Sequence, residues 1–218
     1  MKNKKISPKV KILIIISGLT LGTILLLITY NVLTKYVFNN QKDNTSSTVK
    51  EETIANELYD YKITNKATNY EKELFKELET ILSEDTIVYD NYASTLTKLF
   101  ITDLFTLKNK KSSSDVRSSQ YVYIDYQETF KLMVKESMYS NIELDLDGTR
   151  EQKLPVVKNV IINSTTKDKF LYNNEVIDEE AYYIDTTIEY EEDLGYPKNY
   201  KVVLVKKDNQ LQIVKAGV

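Results

Sequence analysis

The chain has 218 residues, enough for one domain of ordinary size with additional segments, and its net charge is −3. It contains no cysteine and no histidine, which excludes disulfides, thiolate nucleophiles, Cys/His zinc sites and every histidine-dependent catalytic triad. Residues 1–11 hold five lysines and no acid, so the rest of the chain has a net charge of −8, which disfavours nucleic-acid binding.

Residues 12–34 carry no formal charge. As a helix this segment would extend for roughly 35 Å, enough to cross a hydrocarbon core of about 30 Å. A cleaved signal peptide is the competing interpretation, but the apolar run is long for one and no small-residue cleavage pattern follows it. The sequence therefore predicts a retained transmembrane helix.

The lysines predict the orientation of this helix. Residues 1–11 are lysine-rich, whereas lysines and acids are mixed after the span. The positive-inside rule therefore makes residues 1–11 a cytoplasmic tail and places residues 39–218 outside the cell membrane. We expect a single-pass membrane protein.

Gly18 and Gly22 form a GxxxG pattern within the span. Small residues four positions apart give a flat helix face on which two transmembrane helices associate closely. Two interpretations stay open, because glycine is also common in single anchors: association through this face, or a simple anchor.

Residues 35–69 are predicted to be a juxtamembrane segment and flexible tether. Residues 39–53 contain one apolar residue, Val49, which is too few to offset the entropy lost on ordering the chain. Residues 54–69 are more apolar, and two structures are considered for them: a short helix, or docking on the following domain.

Residues 70–218 are predicted to form one exposed domain. Apolar residues at helical spacing predict a helix over 70–83, with Glu71 on its solvent side, and a largely buried second helix over about 87–107 that carries Asp103 on its apolar face. Residues 108–115 are predicted to be a loop.

A short extended segment at 121–124 is expected before a third helix. This helix begins near Asp125, with Glu128 three residues later as a capping box. Its apolar positions are Tyr126, Phe130, Met133, Val134 and Met138.

After Gly148 the apolar period changes from 3.6 to 2. Strands are predicted over 156–165, 181–191, 199–206 and 210–216, and residues 207–210 join the last two as a tight hairpin. Helices followed by strands imply an α+β fold, with about three helices packed on a four-stranded antiparallel sheet.

This layout resembles the VirB8-type and TcpC-type subunits of type IV secretion and conjugation machines. The span at 12–34, the helical patterns at 89–107 and 125–140 and the strands from 156 onward carry the resemblance, which is architectural. It implies an NTF2-like fold for the exposed domain and assembly with other envelope proteins. NTF2-like domains also serve as binding modules and as enzymes, so fold analogy does not select a function.

The acidic segment 143–154 places side-chain oxygens at spacings similar to a calcium loop. Leu154 stands where the bidentate carboxylate is required, and Leu144 and Leu146 are expected to be buried, so a polar turn is the preferred interpretation and no metal or other cofactor is expected. The acids 178–180 and 189–193 and the serines 112–114 are predicted to be solvated, not catalytic.

Seventeen tyrosines are unusual in a chain of this length. Tyrosine combines a large contact area with one hydrogen-bonding end, so a shared face could bind a protein partner. Tyrosine also fills strands well, which is the alternative explanation. The residues considered for an interaction face are Tyr121, Tyr123, Tyr182, Tyr190 and Tyr200.

The leading hypothesis is a non-enzymatic scaffold or assembly subunit of an envelope complex in a Gram-positive-type cell. The expected partners are the membrane, other envelope proteins and further copies of this chain, without nucleic acid. A membrane-tethered ligand-binding or sensory module is the alternative.

The topology can be tested with Ser46→Cys, since the chain has no other thiol. We expect a membrane-impermeant thiol reagent to label this residue in intact cells, because the positive-inside rule places it outside. Labelling that appears only after lysis would reverse the topology.

Overall fold

The structure, a computed structural model, describes residues 53–55, 59–145 and 147–218 and has the expected α+β architecture: three helices on a four-stranded antiparallel sheet. The predicted span at 12–34, with Gly18 and Gly22, lies outside the described residues. Within the described ranges, no helix has both the length and the apolar character needed to cross a membrane.

The first two helices confirm the predicted periodicity. Helix α1 is Asn69–Leu82 and helix α2 is Tyr89–Phe105. The apolar face of α1 packs into the core, but Glu71, predicted on the solvent side, is buried as well. Helix α2 is buried on nearly its whole circumference, as its sequence predicts.

Residues 59–67, before α1, are part of the packed domain. Strand β1 (Thr53–Ala55) pairs antiparallel with β2 (Lys62–Thr64), and Tyr61, Ile63 and Ala67 are buried in the main core. Of the two structures considered for residues 54–69, docking on the domain is therefore the one adopted by residues 59–67.

The main sheet has the order β3-β4-β5-β6, with strands Val157–Tyr172, Glu175–Tyr190, Asn199–Lys207 and Gln210–Gly217. The predicted tight hairpin at 207–210 is confirmed: Asp208 and Asn209 have φ of 49° and 65°, as a two-residue type I′ turn requires.

Strands β3 and β4 are longer than predicted. They continue to Asn173 and Asn174, which form a second two-residue turn with φ of 51° and 65°. The extension was missed because residues 163–169 are exposed and polar, without the alternation of a half-buried strand. Pairing of β4 with β5 ends at Tyr182↔Leu204, so the far part of the β3–β4 hairpin has no third strand beside it.

The predicted extended segment at 121–124 is confirmed at Val122 and Tyr123, where Val122 forms a parallel bridge with Ile213, and is wrong at its two ends. The chain forms a 3₁₀ helix at Arg117–Tyr121 and a 3₁₀ turn at Ile124–Tyr126. Between them, Tyr123 N–H donates to the Ile213 carbonyl at 2.9 Å. The chain therefore runs parallel to β6 for a short distance along the outer edge of the sheet.

Helix α3 is Gln127–Glu136, and its predicted capping box is wrong. The N-cap residue is Tyr126, whose side chain makes no capping hydrogen bond in the described part of the chain, and Glu128 pairs with Lys131 instead. The sequence Thr68–Glu71 provides a capping box at the start of α1, where Glu71 N–H donates to Thr68 Oγ1 at 3.1 Å.

The importance of the segment before α1 can be tested in a chain that begins at Thr53, which we expect to be soluble and to unfold cooperatively. Ile63→Ala should lower its free energy of unfolding by about 2–5 kcal/mol, because it removes a buried side chain. Ile161→Ala, at a position 41% exposed, is the control and should cost less than about 1 kcal/mol. Equal effects in denaturant titrations would mean that residues 59–67 lie outside the cooperative unit.

Candidate functional site

An apolar groove of about 690 Å³ lies between α3, the end of α2 and the sheet. The aromatic and thioether side chains that define its floor and rim are Phe105, Phe130, Met133, Met138, Tyr196 and Tyr200. The lining is apolar or neutral apart from Lys215. Volumes of 300–1,000 Å³ are typical of ligand sites in proteins.

The groove is open because only a narrow face of α3 packs against the rest of the domain. Of the five apolar positions predicted for this helix, only Val134 is fully buried. Met133 lines the groove, is 64% exposed and forms one rim. Helix α3 begins directly after the 3₁₀ turn at Ile124–Tyr126. The pairing of Val122 and Tyr123 with Ile213 of β6 therefore positions the start of this helix.

The floor of the groove is held by aromatic contacts and one hydrogen bond. The Phe105 and Tyr200 rings meet edge to face with centroids 5.1 Å apart, and Tyr190 packs against Tyr196 at 6.3 Å. Tyr190 also donates its hydroxyl to the Pro197 carbonyl at 2.9 Å. Burial raises the pKa of Tyr190 and of Tyr200, so both are neutral phenols near pH 7.

The five tyrosines considered for an interaction face do not share one exposed surface. Tyr121 and Tyr182 are buried in the core and offer little contact area to a partner. Tyr190 and Tyr200 pack against the main core on the helix side, whereas Tyr123 packs on the opposite face of the sheet. Alternation along strands could not reveal this, because Tyr121 and Tyr123 lie in a 3₁₀ helix and a loop.

A second apolar surface lies on the outer face of the sheet. Ala181, Val203 and Val205 form a small buried cluster there, with Tyr123 and Phe170 packed against it. Beside it is a cavity of about 420 Å³, closed at one side where the Tyr126 and Tyr172 rings lie 6.0 Å apart. The tip of the β3–β4 hairpin adds exposed apolar residues at Leu171, Val176 and Ile177.

The calcium-like segment 143–154 is organised by an arginine. The Arg150 guanidinium donates to the carbonyls of Lys108, Lys110 and Glu143 at 2.8–3.0 Å. Leu144, expected to be buried, is 65% exposed, and Leu146 lies outside the described residues. Across the described ranges, no group of three or more acidic side chains is arranged to hold a metal ion.

The acidic residues around β4 are solvated and individually paired. Glu179 lies 2.7 Å from Lys169, Glu192 lies 3.0 Å from Lys153, and Asp193 lies 2.6 Å from Lys198. The hydrogen bond from Lys198 lowers the pKa of Asp193. Each of these three carboxylates faces a lysine, so the arrangement does not form a carboxylate pair with divided acid and base roles.

A buried ionic cluster was not predicted. Glu71, Asp103 and Lys110 lie in the interior, with Asp115 and Arg117 beside them. Asp103 on the apolar face of α2 was the one sequence signal for it. Lys110 and Arg117 belong to a segment that has no periodic pattern, so their burial could not be anticipated.

In comparisons with known proteins, no family model, curated protein or solved structure matches this chain. Its function is therefore inferred from the groove and from the sequence.

Binding of a neutral fluorescent dye such as Nile red would report on the groove. We expect Met133→Lys to weaken dye binding by roughly tenfold, about 1.4 kcal/mol, because it replaces an apolar rim residue by a charge. Leu144→Lys, at an equally exposed position outside the groove, should bind dye like the unmodified chain. Loss of binding in both variants, or in neither, would place the dye elsewhere.

Proposed function

We propose that the chain is a membrane-anchored, non-enzymatic assembly subunit of a cell-envelope complex. Its exposed domain has an NTF2-like arrangement and binds a neighbouring protein through the apolar groove beside α3. The observation that carries the proposal is the groove itself: an apolar surface, open at the rim formed by Met133, in a chain of which 28% of the residues are charged.

The composition of the groove favours binding over catalysis. Its lining supplies no acidic side chain and, apart from Lys215, no basic side chain, so its side chains offer no acid and base pair for proton transfer. Contiguous exposed apolar surface on a soluble domain is typical of a protein-binding site. Met133 and Met138 are flexible and polarizable, which suits a surface that adapts to a partner's side chains.

The predicted anchor supports an assembly role. A protein held in the plane of a membrane meets other membrane proteins at a raised effective concentration, so a moderate interface is sufficient for stable assembly. The resemblance to type IV secretion subunits, which rests on the order of span, tether, helices and strands, points to the same kind of role. Self-association through Gly18 and Gly22 belongs to this proposal.

The size of the groove also favours a second candidate, a tethered module that binds a small apolar ligand. About 690 Å³ accommodates a molecule of drug or lipid-fragment size. The two candidates predict different occupants: a protein side chain that reaches the rim, or a small molecule that copurifies with the chain.

Site-specific photocrosslinking in living cells distinguishes these candidates. A benzoylphenylalanine at Met133 of the full chain should give a discrete crosslink to another envelope protein or to a second copy, because this position lies on the rim. The same residue at Leu144, which is equally exposed, should give none.

Equal crosslinking at both positions would indicate random encounter and contradict the assembly proposal. The absence of crosslinks, with a small molecule that copurifies with the unmodified chain and is lost in Met133→Lys, would instead establish the ligand-binding candidate.

A further inference from the structure

Five charged side chains meet in the interior of the domain, where α1, α2 and the segment after α2 join. Glu71, Asp103 and Lys110 are only 1–2% exposed, and Asp115 and Arg117 are partly buried. Three of these described groups are acidic and two are basic, so full ionisation of the five leaves one negative charge in excess among them. A buried charge without a partner is costly, which favours neutralisation of one member.

The two cations are directed to the aspartates. Lys110 Nζ forms an ion pair with Asp103 Oδ1, and Arg117 Nε lies 3.6 Å from the same oxygen and 3.1 Å from Asp115 Oδ1. Glu71 accepts a hydrogen bond from the Thr68 backbone N–H, but its Oε2 atom is buried and has no hydrogen-bond partner among the described residues. The excess charge therefore falls on Glu71.

The charged groups around Glu71 have opposing effects on its pKa. Asp103 of α2 raises its pKa by repulsion, whereas Lys110 and Arg117 lower it. The phenols of Tyr121 and Tyr139 are buried near Asp103 with raised pKa values, so they contribute no charge. Burial is the largest effect, and together these groups raise the pKa of Glu71 to about 7.

The cluster also fixes the segment through which the chain enters the domain. Glu71 and Thr68 form the capping box that starts α1. Arg117 donates from Nη1 to Thr64 Oγ1 at 2.8 Å, and the Gln120 side chain bonds the backbone N–H and carbonyl of Lys62 at 2.7 and 2.9 Å. A change in the charge of Glu71 therefore changes the stability with which β2 and α1 dock on the rest of the domain.

We propose that this cluster is a pH-sensitive fastening, in which a proton on Glu71 stabilises the docking of residues 59–71 on the rest of the domain. The carboxyl group binds the proton more tightly in the docked state than in an undocked or unfolded chain. Its contribution is full at pH values below about 4.5, where both states are protonated, and is lost as the pH rises to about 7. This inference goes beyond the binding function and does not depend on it.

Hydrogen exchange of the full chain in detergent tests the proposal, with Glu71→Gln as an uncharged mimic of the protonated residue. Between pH 5 and pH 8 we expect amide protection factors in residues 61–74 to fall by roughly 100-fold in the unmodified chain, after correction for intrinsic exchange. They should stay nearly constant in Glu71→Gln. Glu73→Gln, an exposed position on the same helix, should behave like the unmodified chain.

The same fall in protection in Glu71→Gln, or no fall in the unmodified chain, would overturn the proposal. Because Glu71→Gln could disturb packing, a second measurement follows the Glu71 carboxyl carbon by NMR in the unmodified chain, with Glu71→Asp used to assign the signal. A titration midpoint near neutrality supports the fastening, and a midpoint in the ordinary glutamate range contradicts it.

Discussion

The burial of α2 constrains how α1, the 3₁₀ helix at Arg117–Tyr121 and the main sheet pack in the domain. This helix contacts α1, the sheet and the 3₁₀ helix at Arg117–Tyr121. Two of its polar residues have partners inside the protein: Thr95 donates to Glu77 at 2.8 Å, and Asp103 is paired with Lys110. A helix that is buried on nearly its whole circumference favours apolar side chains at most positions. Each buried polar residue on it costs free energy unless it forms a hydrogen bond or an ion pair.

The candidate site is a consequence of the same arrangement. Phe105, the last residue of α2, packs against Tyr200 of the sheet and becomes the floor of the groove. Helix α3 is too short and too polar to cover this floor, since Val134 is its one fully buried residue. Apolar side chains of the core are therefore accessible at the surface in the groove, where an apolar partner can pack against them.

The sequence was sufficient to predict those helices and strands in which buried apolar residues recur at one regular spacing. The two main helices, the four strands and the Asp208–Asn209 turn follow from apolar spacing and turn chemistry. It was insufficient where contacts between residues distant in sequence determine which side chains are buried. The burial of Glu71 depends on the packing of α1 beside Asp103 and Lys110, and the groove depends on the pairing of Val122 and Tyr123 with Ile213 of β6, neither of which local spacing records.

The β3–β4 hairpin has a mechanical consequence at its far end. Between Ala181 and the Asn173–Asn174 turn, β4 has only β3 beside it, because pairing with β5 has ended. Two-stranded ribbons are marginal in water, so this end should open and close many times while the four-stranded part stays intact. Motion of this end is therefore limited by the packing of Phe170 on the outer-face cluster and by the contact between the Tyr126 and Tyr172 rings, and not by pairing with a third strand.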